Sequence, residues 1–181
     1  MRRMSTVLAW GSAVALVSAG LAFAQPKIQP KQPTQPSQPS QSDSSGEQLI
    51  NSITPEQTVQ ILKSTGFTNV EIYTDNSGKK HVKASGDGFN LSVVHQNCKS
   101  DGCPFVTYIA LFTGDEDHDV KWMNAWNSKV NFVTGFVGAN GNLGFSMDVH
   151  FWGGVKPEFL GNSGKIFLNK LAQIKDFDPS K

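Results

Sequence analysis

Leu143-Gly144-Phe145-Ser146-Met147-Asp148-Val149-His150-Phe151 alternates large apolar residues with small or polar ones along its whole length. Side chains of an extended chain point to opposite faces at a period of two, so this stretch reads as a β-strand with one face buried. Asn140-Gly141 just upstream is a two-residue hairpin signal, and it ties the strand to an antiparallel partner over Phe132 to Val137. Gly153-Gly154 ends the strand, and Pro157 then opens a helix. The apolar residues expected on the core face of that helix are Phe159, Ile166, Phe167, Leu171 and Ile174. Gly161 and Gly164 lie in its first half, each costing about 1 kcal/mol relative to Ala.

Toward the N-terminus, Asp115 to Asp119 is an acidic loop and helix start, and the helix runs to about Lys129. Acids at that end complement the helix dipole. Val120, Met123 and Trp126 form its apolar face. Phe105 to Phe112 is apolar on both faces, as in a central strand or one whose second face meets a partner. Phe89, Leu91 and Val93 alternate with Asn90 and Ser92 in a further strand. Lys80 to Ser85 and Val70 to Thr74 complete the set, separated by the turn cluster Asp75-Asn76-Ser77-Gly78. In front of them Thr54-Pro55-Glu56-Gln57 is a capping box with proline at the first helical position, and Gly66 with Phe67 closes that helix in a Schellman cap against Leu62. The order is α-β-β-β-β-α-β-β-α. Tight turns between successive strands imply antiparallel pairing, so the expected fold is an α+β two-layer domain over residues 48–178, with helices on one face of the sheet.

Residues 1–24 read as a secretory signal peptide. Arg2 and Arg3 precede an apolar run from Val7 to Val17, and Ala22-Phe23-Ala24 provides the small residues a signal peptidase reads, with cleavage between Ala24 and Gln25. The expected location is the periplasm or the medium, with no stable membrane insertion after cleavage; an uncleaved signal would make the chain a membrane-held domain. Residues 25–47 are rich in Gln, Pro and Ser and read as a disordered linker. The chain carries 16 Lys and Arg against 15 Asp and Glu, and loss of the two arginines leaves the mature protein near −1. So balanced a charge, with no basic stripe, argues against nucleic acid as a partner.

Cys98 and Cys103 are the only cysteines, with four residues between them at a strand-to-strand turn. Export favours a disulfide between them, whereas a redox pair usually has C-x-x-C spacing and a metal site would need more ligands than nearby His95. Asp115, Asp117 and Asp119 mimic the start of a calcium loop. Val120 stands where that loop needs glycine, however, and Trp126 where it needs the bidentate acid. His81, His95, His118 and His150 lack metal-binding spacing, and no Ser lies in a nucleophile-elbow motif. Catalytic residues, metal ligands and cofactors are therefore not expected. Trp122 and Trp126 share one helix face and are core or partner-contact residues; Tyr108, on the doubly apolar strand, is a further candidate contact.

The stretch from Thr54 to Phe177 resembles the YbjN family, whose members are labelled as proposed sensory transduction regulators. Three segments carry the resemblance: Ile53-Thr54-Pro55-Glu56-Gln57; Met123-Asn124-Ala125-Trp126-Asn127 followed by the strand from Phe132; and Met147-Asp148-Val149 through Gly153-Gly154-Val155 with the proline-started helix. Lys156 departs from the helix-capping Ser or Thr usual there. The resemblance implies a fold like that of type III secretion chaperones, often dimeric, and brings no catalytic residues. The expected function is non-enzymatic protein binding, regulatory or passively chaperone-like, with an unknown protein partner or a second copy. The alternative is a periplasmic sensor of a small ligand or metal.

Overall fold

The computed structural model describes residues 48–180; the signal peptide and the linker expected over residues 1–47 lie outside them. The elements are α1 (Pro55–Ser64), β1 (Thr68–Thr74), β2 (Lys80–Gly86), β3 (Phe89–Gln96), β4 (Phe105–Phe112), α2 (Val120–Lys129), β5 (Thr134–Val137), β6 (Leu143–His150) and α3 (Glu158–Ala172). A 3₁₀ turn, Ile174–Asp176, follows. All strands join one antiparallel sheet in the order β1-β2-β3-β4-β6-β5. This is the expected α+β architecture.

Local chemistry sets the helix ends. Thr54 Oγ1 accepts from Gln57 N at 3.2 Å while Gln57 Oε1 accepts from Thr54 N at 2.9 Å, a reciprocal capping box. At the other end of α1, Phe67 N donates to Leu62 O at 3.0 Å and Gly66 N to Lys63 O at 3.2 Å. Gly66 adopts φ +96°, the left-handed conformation that this Schellman motif requires.

The three helices cover one face of the sheet. Val106, Tyr108 and Ala110 of β4 and Leu143, Phe145, Met147 and Val149 of β6 point into that core. Tyr108 Oη donates to Leu160 O of α3 at 2.8 Å, and the Phe145 ring meets Trp126 of α2 with centroids 5.2 Å apart.

Three sequence expectations need correction. Helix α2 starts at Val120, because the Asp119 carboxylate caps it by accepting from Trp122 N at 2.8 Å; Asp115 to His118 form a turn ahead of it, and Val120 is exposed. Strand β5 starts at Thr134: Phe132 has φ +73°, outside the extended region a paired strand residue occupies, and its side chain is exposed. Helix α3 is rotated from its expected phase. Phe159 and Ile166 are exposed, whereas Leu160, Phe167, Leu168 and Leu171 are buried, and Ile174 lies beyond the helix in the 3₁₀ turn.

The glycines explain the rotation of α3. A Cβ on Gly161 would overlap the Thr65 side chain at the end of α1, and one on Gly164 would lie 2.7 Å from Phe67 Cζ. The smallest residues of α3 therefore mark its line of closest approach, and the large residues flank it. The first turn of α3 has no side-chain cap, because Pro157 occupies the cap position and its side chain has no polar group.

Candidate functional site

The second face of the sheet has no helix over it among the described residues. Its register places Leu111 of β4 opposite Gly144 of β6, and Gly144 opposite Phe136 of β5. Gly144 lacks a side chain, and the Phe136 ring occupies the space a Cβ there would need. Leu111, 66% exposed, and Phe136, 40% exposed, so form one apolar row across three strands. In the next row, half-buried Ile109 lies between Ser92 and Ser146. Two polar features flank these rows. Lys83 pairs with Glu71 at 2.9 Å, and Asp148 accepts the Thr107 hydroxyl hydrogen at 2.6 Å. At one end of the face Phe105 stacks on His150, which leans on Trp152, with centroid separations of 4.9 and 4.7 Å. Trp152 is 71% exposed. The face is thus apolar at its centre, nearly neutral in charge and hydroxyl-rich at its margins.

The candidate contacts Tyr108, Trp122 and Trp126 are not on this surface. Tyr108 and Trp126 are fully buried and Trp122 nearly so. The two tryptophans stack with centroids 5.7 Å apart, and the Phe177 ring closes over both edge-on. Trp126 Nε1 donates to Val133 O at 3.2 Å, which satisfies the indole inside the core. Shared position on one helix face is compatible with core or contact; here the C-terminal segment decides for core. Burial also drives the Tyr108 hydroxyl above the ordinary phenol range.

The structure joins Cys98 to Cys103 in a disulfide. The bonded loop is closed again by the Lys99–Gly102 pair of backbone hydrogen bonds, at 2.9 and 3.2 Å. It anchors the segment entering α1. Cys103 and Ile53 exchange two backbone hydrogen bonds at 2.9 and 3.0 Å, and Ser52 Oγ donates to Asp101 O at 2.7 Å.

Two buried histidines form a cluster between α1 and the sheet that the sequence pattern did not single out. The His95 backbone N–H donates to His81 Nδ1 at 3.0 Å, so the ring hydrogen of His81 sits on Nε2 and points to Asp75 Oδ2, 3.2 Å away. Thr58 Oγ1 donates to Thr54 O at 3.0 Å, which leaves it to accept from His95 Nε2 at 2.9 Å. His95 Nδ1 is then an unprotonated, buried nitrogen without a hydrogen-bond partner among the described residues. Burial, and secondarily the charge of His81, lower the His95 pKa to about 4. The Asp75 carboxyl is held at about 2 by the Lys79 backbone N–H and then the Ser77 hydroxyl. A signal was present in the sequence: His95 continues the Leu91, Val93 alternation, which marks it as inward-facing.

The acidic run serves the start of α2. Asp115 Oδ1 accepts from the backbone N–H groups of Asp117 and His118 at 3.0 Å and contacts His118 Nδ1 at 2.5 Å. No group of three or more metal-ligating side chains occurs among the described residues.

No family model matches the chain, and no curated protein matches it. Among solved structures it is similar to YbjN from E. coli, a proposed transcription regulator, at 14% identity and a TM-score of 0.48, covering 69% of this chain and 93% of that one.

Proposed function

We propose that this chain is an exported, non-enzymatic domain that acts by binding another protein through the uncovered face of its sheet. One observation carries the proposal: the apolar row of Leu111 and Phe136 on the face opposite the helices. A solvated outer face normally alternates to polar residues, and a contiguous apolar row rimmed by polar groups marks a contact site. The single Lys83–Glu71 pair leaves no strong field there, so the partner is matched by shape and apolar surface rather than by steering. Binding of this kind needs no nucleotide, which suits a passive or regulatory role outside the cytoplasm. The Cys98–Cys103 disulfide is consistent with that location.

Co-purification from the native host tests the proposal. Wild-type chain and a Leu111→Asp, Phe136→Ser double variant are used as baits, with matched circular dichroism spectra confirming the fold. Retention of a defined protein by the wild type and its loss from the variant is the expected result. Equal retention by both baits would remove the sheet face from the account.

A further inference from the structure

A groove on the helix side of the fold, between the β2–β3 turn and the C-terminal end of α3, has different chemistry from the sheet face. We infer that it binds an amphipathic carboxylate of the fatty-acid type. Its cavity is about 480 Å³, within the range of small-molecule sites, which are mostly apolar with a few polar groups. Phe89, Phe112, Leu171 and Ile174 line it. The first two rings meet edge-on at 6.1 Å, and Phe112 in turn packs on Phe145 at 5.7 Å, so the apolar wall is continuous with the core and pre-formed.

Polar groups on the lining are few. Lys175 is exposed and has no ion-pair partner among the described residues. His118 contacts Asp115 through Nδ1, which leaves Nε2 for a ligand. Asp87 is the only acid among the lining residues. A long apolar tail fills the aromatic wall, and Lys175 supplies the charge complementary to a carboxylate head. An uncharged amphiphile would gain the first interaction and forgo the second. The His118 ring lies edge-on to Trp122 at 4.7 Å, so occupation of the groove is reported by tryptophan fluorescence.

The test is titration of the purified full chain with octanoate, decanoate and decanol below their aggregation limits, by fluorescence and calorimetry. One molecule should bind per chain, decanoate about 15-fold more tightly than octanoate, since each buried methylene is worth about fourfold. Decanol should bind more weakly than decanoate, and Lys175→Glu should remove that difference. Ala172→Trp, at an exposed position on the groove wall, should reduce decanoate affinity at least tenfold. Absence of saturable binding overturns the inference. Binding that neither Ala172→Trp nor Lys175→Glu alters overturns it too, as the mark of an adventitious additive only. Because Lys175 is exposed, its variant keeps the test decisive even where Ala172→Trp does not fold.

Discussion

Acidification from pH 7 to 4.5 is the perturbation to which the buried histidine cluster is most sensitive. His95 is 2% exposed and its pKa falls from 6.5 in the unfolded chain to about 4 in the fold. A folded-state pKa below the unfolded one means that the unfolded chain binds the proton more tightly. The stability tied to neutral His95 is therefore intact above about pH 6.5 and is lost as the pH falls toward 4. The limiting slope is about 1.4 kcal/mol per pH unit, and integration from pH 7 to 4.5 gives a loss of about 2.5 kcal/mol. The Asp75 pKa is lowered too, from 3.8 to about 2, so its stabilisation is lost in the same direction, on acidification, but almost wholly below this window. The assay is urea unfolding followed by tryptophan fluorescence at half-unit pH steps, on wild type and on His95→Gln. The variant starts less stable, because a buried side chain and its bond to Thr58 change, but its stability should depend less on pH by about 2.5 kcal/mol over the range. Parallel pH profiles for the two proteins would refute the placement of a neutral, buried imidazole at position 95.

Three further outcomes follow from packing and covalent geometry. Gly161→Ala should lower stability by about 1–3 kcal/mol in thermal unfolding despite the higher helix propensity of alanine, because its Cβ overlaps Thr65. A stabilised variant would contradict the close approach of α1 and α3. Replacing both Cys98 and Cys103 by serine should cost about 2 kcal/mol, the chain-entropy value for so short a loop, read as a lower urea midpoint. Thr54→Ala should cost about 1 kcal/mol by opening the capping box, and Thr54→Ser should restore most of it.

Much of the fold was legible because local signals agreed with tertiary ones. The capping box and Schellman glycine bounded α1, Asn140-Gly141 fixed the β5–β6 hairpin, and the period-two run of β6 named its inward residues. The phase of α3 was not legible. Its glycines register as a cost in helix propensity, whereas in the fold they are where α1, Phe67 and Tyr108 come closest, information held by residues more than fifty positions away. Strand β4 gave half of the candidate site, since an apolar residue on each face leaves one face in need of cover. Which residues complete that surface depended on the insertion of β6 between β4 and β5, which brings Phe136 across Gly144 toward Leu111. The tryptophans stayed open between core and contact for a related reason: the stripe of α2 is apolar either way, and Phe177, returning from the far end of the domain, closes it off as core.

Site-specific photo-crosslinking in the native host tests whether the uncovered sheet face is where a partner protein binds. A photoreactive residue is placed singly at Leu111 or Phe136 on the sheet face, and at the equally exposed Phe159 or Ile166 on α3. A discrete adduct is expected from Leu111 and Phe136 and none from α3, with the adduct mass telling a second copy from a different protein. Adducts from α3 alone, or none from the sheet face, would contradict it.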